Sequence, residues 1–160
     1  VRVGQGFDVH PFASDPARRL VLGGVEIEDA RGLTGHSDAD VVTHALADAV
    51  LGAAGLGDLG THFSDTDPTY AGADSLRLLA TTVELAGAAG WQPVNADLTV
   101  IAEEPWLAPF VPAMVGALER ALGAPVSVKA TRGEGLGAIG RSEGIACLAV
   151  VLLEPRDGGS

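Results

Sequence analysis

Nine consecutive apolar residues, Ile145-Ala146-Cys147-Leu148-Ala149-Val150-Val151-Leu152-Leu153, constrain this chain more than any other feature. A helix needs roughly 20 such residues to cross a bilayer, so the run is not a membrane span. Read as a strand, from about Gly144 to Glu154, it sends alternate side chains to opposite faces, and both faces are apolar. Val94 to Ala102 alternates as a second strand and also reads as apolar on both faces. A sheet built on these strands needs helices against it. If the helices cover only one face, the other is a large apolar patch, which predicts self-association through the sheet.

The remaining elements follow from periodicity and punctuation. Val1 to His10 and Arg19 to Ile27 read as strands joined by a polar turn, which predicts a hairpin. Ser37-Asp38-Ala39-Asp40 has the form of a capping box with Ser37 as N-cap. The helix it opens carries Val42, Ala45, Leu46, Ala49, Val50 and Ala53 at amphipathic spacing, with Asp40, His44 and Asp48 on a different stripe. Gly57 to Asp67 is a turn-rich loop. Helices are predicted over about Asp74 to Ala89 and Phe110 to Leu122, the latter stopped by Gly123. Val126 to Thr131 reads as a strand, followed by a glycine-rich loop from Arg132 to Gly140. The order β-β-α-α-β-α-β-β fits an α/β fold of the α+β two-layer sandwich type, a small mixed sheet with helices on one face. At 160 residues the chain is one domain, with a disordered tail expected from about residue 155.

Charge and cysteine content narrow the function. A formal net charge of −11 excludes a nucleic-acid binder, and it suits an anionic substrate only if cations supply local positive charge. Cys147 is the single cysteine, so no internal disulfide forms, and its apolar surroundings predict a buried, inert thiol. No targeting or membrane segment is legible, which points to a cytoplasmic protein with no membrane or nucleic-acid partner.

All four histidines (His10, His36, His44 and His62) lie in the first 62 residues, among Asp8, Asp38, Asp40, Asp48, Asp58, Asp65 and Asp67. On a strand, Asp8 and His10 leave the same face and can point at one ion. A carboxylate with neutral imidazoles suits Zn²⁺, and a catalytic zinc needs a third protein ligand and one open position. The residues alone leave the third ligand to a later histidine. His44, beside the core face of its helix, is well displayed.

The blocks GFDVHPF, LGG, GHSDADVVTHALADAVLGAAGLGDLG, FSDTDP, GADS, VKAT and GRSEGIA, in this order, resemble the 2-C-methyl-D-erythritol 2,4-cyclodiphosphate synthase family from Val1 to about Glu154. The resemblance implies a homotrimer of α/β subunits whose sheets meet around a threefold axis, with active sites between neighbouring chains. It implies conversion of 4-diphosphocytidyl-2-C-methyl-D-erythritol 2-phosphate to the cyclic diphosphate and CMP, in the non-mevalonate route to isoprenoids. Asp8, His10 and His44 become the zinc ligands. His36 and Ser37 become substrate contacts at a helix start whose amides favour phosphate. Asp58, Leu59, Gly60, Phe63 and Asp65 become contacts of the methylerythritol part, and Asp48 a partner orienting the His44 ring. Ala102, Pro105 and Leu107 correspond to the cytosine subsite. Thr131 and Glu134 fall on the phosphate side, Glu134 ligating Mg²⁺ or Mn²⁺, and His36, Thr131 and Glu134 become the catalytic candidates. Arg141, with Glu143, matches a pair at the threefold axis, beside a cavity able to take an isoprenoid diphosphate. The chain departs from the family at Trp106, where a lysine is usual, and at Arg132-Gly133, where hydroxyl residues are usual. Arg132 is expected to compensate by gripping a phosphate.

The implied reaction is an intramolecular phosphoryl transfer in which the 2-phosphate attacks the β-phosphorus and CMP leaves. Its nucleophile is already an anion. The obstacle is bringing two anionic groups together, which divalent cations and a curled substrate address. Proximity of this kind is worth roughly 7–11 kcal/mol in well-oriented systems. Two other readings use the same residues: a metal-dependent phosphoesterase, and a non-catalytic trimer carrying isoprenoid diphosphates. On the simplest reading His62 is a solvated loop residue and Asp40 an ordinary first-turn acid.

Overall fold

The computed structural model describes residues 1–156. The chain runs β1 (Arg2–Pro11), β2 (Leu20–Leu22), β3 (Val25–Ile27), α1 (Val41–Ala54), a one-turn α2 (Leu59–His62), α3 (Ser75–Ala88), β4 (Trp91–Ile101), α4 (Val111–Leu122), β5 (Val126–Thr131), a one-turn α5 (Gly137–Gly140) and β6 (Gly144–Pro155). Of the expected tail, Pro155 closes β6 and Arg156 donates its N–H to the Gly90 carbonyl at 2.9 Å. Residues 157–160 lie outside the described part.

One mixed sheet has the order β1-β6-β4-β5, with β6 antiparallel to both neighbours and β4 parallel to β5. The expected hairpin between Val1–His10 and Arg19–Ile27 does not form. β1 pairs with β6 along its length, from Arg2 opposite Leu153 to Pro11 opposite Gly144. The 19–27 segment folds back on itself at Gly23-Gly24, both at positive φ (58° and 74°), and makes its own two-stranded hairpin. Paired positive φ values are what a two-residue hairpin turn requires, and glycine adopts them without strain.

The helices cover one face of the sheet. Contact between β1 and α1 is very close: a Cβ on Gly4 would stand 1.9 Å from the Ala49 carbonyl oxygen, and one on Gly6 1.8 Å from that of Ala45. Glycine on the strand facing alanine on the helix lets the two backbones touch. The consequence for the site is direct, because Asp8 and His44 follow and precede these contacts by two residues and one.

Helix α1 is buried nearly all round, leaving only His44, Asp48 and Gly52 outside the buried class. That is a single i, i+4, i+8 stripe. Ser37 is not its N-cap. Ala39 sits at φ 56°, which delays the helix, and Asp40 caps it by accepting from Thr43 N at 3.0 Å. Asp40 is no ordinary first-turn acid either: it is fully buried and also accepts from Gly23 N (2.8 Å), Gly24 N (2.7 Å) and Thr43 Oγ1 (2.7 Å). One carboxylate thus ties the β2–β3 turn to the start of α1.

The opposite face of the sheet carries Val3, Phe7, Val9 and Val150, each between 45% and 70% exposed. β4 contributes Asn95, Asp97 and Thr99 there, so the expectation that this strand is apolar on both faces does not hold. Its buried parity is Ala96, Leu98 and Val100, and the outward parity is polar from Asn95 to Thr99, ending on a half-buried Ile101.

Candidate metal centre and the adjoining grooves

Asp8 and His10 leave β1 on the face that carries Gly4 and Gly6, and His44 reaches them from α1. Asp8 Oδ2 lies 2.9 Å from His10 Nε2 and 3.2 Å from His44 Nδ1. One donor atom from each of the three lies within 4.8 Å of the others.

Hydrogen bonding fixes which imidazole nitrogens are available. His10 Nδ1 stands 2.9 Å from the Thr34 carbonyl, which only accepts, so Nδ1 carries the proton. His10 Nε2 is then a lone-pair atom, buried and without a hydrogen-bond partner among the described residues. It faces a carboxylate oxygen, another lone-pair atom. Such a pair repels unless a metal ion or a second ring proton lies between, and buried unsatisfied nitrogens of this kind are rare. The donor set of two nitrogens and one oxygen, half-buried and backed by acids, fits a divalent zinc-like ion.

The electrostatics agree. Burial alone would raise the Asp8 carboxyl, but the two imidazoles against it outweigh burial and hold it well below the ordinary carboxylate range. For His44, burial opposes the charged ring, yet the Asp8 hydrogen bond and the charges of Asp40, Asp8 and Asp38 raise its pKa above the usual value. The cluster attracts positive charge.

A groove of about 400 Å³ opens over these residues, and His36, Ser37, Leu59, Gly60, Phe63 and Asp65 line it with Tyr70 and Leu78. His36 donates from Nε2 to the Asp67 carbonyl at 3.0 Å. Asp58 does not line the groove. Its carboxylate caps α2, accepting from Thr61 N (2.9 Å) and Thr61 Oγ1 (2.8 Å). Asp48 lines the groove but does not orient His44: its Oδ1 accepts from Leu59 N at 2.8 Å, pinning α2 to α1. The groups on the far side of the His44 ring are Ser75 Oγ at 2.7 Å and Ser37 Oγ at 3.2 Å. His62 is tied down, with Nε2 2.7 Å from the Leu56 carbonyl.

A second groove, about 470 Å³, lies where the C-terminal ends of the parallel strands β4 and β5 meet the loop after β4. Ala102, Pro105, Leu107 and Thr131 line it, and Trp106 stands on it 79% exposed. Arg132 does not point free for a phosphate. Its Nε and Nη2 both donate to Glu103 Oε2, at 3.2 and 3.1 Å, and Gly135 N approaches Glu103 Oε1 at 3.5 Å. Glu134, exposed, sits beyond this groove at φ 55°, a conformation that non-glycine residues seldom adopt. Arg141 Nε donates to Glu143 Oε2 at 2.6 Å on the surface.

Three contributors escape the reading of the sequence. Ser75 belongs to the GADS block but carries no recognisable chemistry by itself. Glu103 has no legible partner until the fold brings Arg132 to it. Arg18 donates to the Leu33 (2.9 Å), Gly35 (3.2 Å) and Ser37 (2.7 Å) carbonyls, and so holds the segment bearing His36 in place.

The YgbB family profile matches residues 1–154. A relative from Symbiobacterium thermophilum, named 2-C-methyl-D-erythritol 2,4-cyclodiphosphate synthase, is 56% identical over 157 residues, covering 96% of this chain and 99% of the relative. Among solved structures, the bifunctional IspDF from Campylobacter jejuni superposes with a TM-score of 0.92 at 43% identity, covering 98% of this chain and 42% of that longer one. IspF from Plasmodium falciparum, in a CDP complex, gives a TM-score of 0.83 at 32% identity, covering 98% of this chain and 97% of that one. On the profile match and the near full-length identity together, this chain belongs to the YgbB family.

Proposed function

We propose that this chain is a phosphorus–oxygen lyase converting 4-diphosphocytidyl-2-C-methyl-D-erythritol 2-phosphate to 2-C-methyl-D-erythritol 2,4-cyclodiphosphate and CMP in the non-mevalonate isoprenoid pathway. The observation that carries the reading is the Asp8–His10–His44 cluster, with a buried unpartnered nitrogen, opening onto a groove in a chain whose full-length relatives bear that name.

In this reading the cluster holds Zn²⁺ and Glu134 ligates a Mg²⁺ or Mn²⁺ on the diphosphate. When bound, these cations neutralise phosphate charge and polarise a phosphoryl oxygen. The chain's own residues do the rest. His36 and Ser37 contact the substrate at the lip of the first groove, with Leu59, Gly60, Phe63 and Asp65 holding the erythritol part curled, and Asp58 keeping α2 in shape beneath them. Ala102, Pro105, Leu107 and Thr131 take the cytidine end in the second groove. Arg132, neutralised by Glu103, organises the loop bearing Glu134.

Two grooves on one protomer suggest half-sites completed by a neighbour. We read the exposed Val3, Phe7, Val9 and Val150 as the surface buried in a homotrimer, with Arg141 and Glu143 near its axis and room there for an isoprenoid diphosphate. A cytoplasmic location belongs to the same reading; the sole cysteine is a buried free thiol, which suits a reducing compartment. Among the described residues no helix is long and apolar enough to cross a membrane.

The test is incubation with the cytidylyl substrate and divalent cation, followed by phosphorus NMR. Equimolar CMP and a cyclic diphosphate are expected. A linear phosphate product supports the phosphoesterase reading instead, which the altered Arg132-Gly133 loop makes worth separating. No CMP from protein of full zinc content rejects both.

A further inference from the structure

We infer that Ser75 and Asp38 form a positioning pair that favours the Nε2–H tautomer of His44 and thereby sets how tightly the Asp8–His10–His44 cluster holds a divalent cation. The inference rests on the metal reading above and extends it to two residues outside the cluster.

Direction settles the matter. The Ser75 hydroxyl meets Asp38 Oδ1 in a short hydrogen bond, and Ser75 N donates to Asp38 Oδ2 at 3.0 Å. An ionised carboxylate only accepts, so the hydroxyl hydrogen points at Asp38. With that hydrogen committed, Ser75 Oγ is left as an acceptor for His44 Nε2, 2.7 Å away. A proton on Nε2 makes Nδ1 the lone-pair nitrogen, and Nδ1 is the atom that faces Asp8 Oδ2. The relay therefore aims the right nitrogen at the cation site.

The pair is built to hold this arrangement. Ser75 is fully buried and the His44 side chain is 14% exposed, so water competes little. Asp38 is gripped at both ends: its Oδ1 accepts from Asp40 N at 3.1 Å, and its own N–H donates to the Ala73 carbonyl at 3.2 Å. It thus links the start of α1, which carries His44, to the start of α3, which carries Ser75. Ser37 Oγ, at 3.2 Å from Nε2, is a longer second acceptor and also takes a hydrogen bond from Ala39 N at 3.3 Å. The two rings are set oppositely, His10 by a backbone carbonyl and His44 by a Ser–Asp relay. Only the second can be altered by a side-chain substitution.

The decisive measurement is zinc affinity of the full chain, by competition with a chromophoric chelator at fixed pH, for wild type, Ser75→Ala and Asp38→Asn. Outer-shell partners of metal-bound histidines are worth about 10–100-fold in affinity, and a loss in that range is expected for each variant. The double variant should lose about as much as either alone, because both changes cut one chain of bonds. Asp38→Asn also disturbs a helix junction, so Ser75→Ala is the cleaner change, with thermal melting of each protein as control. Asp8 Oδ2, 3.2 Å from Nδ1, competes for the ring proton in the metal-free protein, so long-range ¹H–¹⁵N NMR at alkaline pH gives a second readout: the Nε2–H fraction of His44 should fall from wild type to Ser75→Ala. Zinc affinity within twofold of wild type, with the tautomer unchanged, overturns the inference. Wild type that binds no zinc overturns it together with the metal reading, whereas wild type that binds zinc but releases no CMP sinks the catalytic reading alone.

Discussion

The two grooves are built by opposite means. The first rests on regular elements: Asp8 and His10 on β1, His44 on α1, with Ser75 and Asp38 buried behind and Gly4 and Gly6 clamping strand to helix. The second rests on loops at the ends of β4 and β5, where Thr131, Arg132, Glu134 and Trp106 are all exposed. The first groove is preformed within a single chain. The other has its side chains displayed outward, with the Glu103–Arg132 pair and a few backbone hydrogen bonds, such as Ala102 N to the Thr131 carbonyl at 3.0 Å, to stiffen it. Metal geometry tolerates little misplacement, so the cluster proposed to hold an ion sits on rigid elements, whereas the groove proposed for the cytidine end is built from loops.

Removing a member of the preformed half should have the largest effect. His44→Ala is expected to lose stoichiometric zinc and to lower kcat/KM for CMP release by at least about 10³-fold, about 4 kcal/mol. Metal analysis alongside steady-state kinetics checks both, and retained zinc with normal turnover would break the contrast between the halves. Next comes the clamp. Gly6→Ala puts a methyl against a backbone oxygen that cannot swing aside, and should cost about 3 kcal/mol, with zinc affinity falling in parallel. Chemical denaturation monitored by circular dichroism measures it.

A softer response is expected in the second half. Glu103→Ala frees Arg132 and removes the acceptor facing Gly135 N, and should raise KM for the cytidylyl substrate about 10-fold, about 1.4 kcal/mol, with less effect on kcat and none on zinc content. Equal losses in kcat and zinc would mean that the two halves are not separable. The smallest effect concerns the edge strand β5 on the helix-free face of the sheet. Lys129 holds the Asp97 carboxyl below its ordinary pKa, so the pair contributes stability above the unfolded-state value that is lost as pH falls through the depressed one. Both side chains are about half exposed, so Lys129→Ala should cost no more than about 0.5 kcal/mol near neutrality and nothing in strong acid. Melting curves across acid pH test this, and a several-fold larger loss would mean that the surface proposed to be buried in a homotrimer extends as far as the edge strand β5.

What was legible in the sequence divides along the same line. Asp8 and His10 share a strand face by parity alone, and His44 lies on the one stripe of α1 that escapes burial, so periodicity brought the cluster within reach. The capping of α1 was misread because Ala39 takes a positive φ that no pattern announces, which moves the cap from Ser37 to Asp40. The N-terminal hairpin was misread because local alternation is silent on partner choice, and β1 pairs with β6 more than 130 residues away. The resemblance implies Asp48 as a partner of His44, yet its carboxylate accepts from the Leu59 amide instead.

By itself the sequence determined the fold class, the burial of one face of the last strand and the residue types of the Asp–His–His cluster, because these follow from periodicity and from the chemistry of Asp and His. Only the tertiary structure decided which nitrogen of each histidine faces the site, what Asp40 and Glu103 hold, and that Arg132 is spoken for. Those outcomes depend on hydrogen bonds between residues distant in the chain, and hydrogen bonds are directional in a way that composition and spacing do not encode.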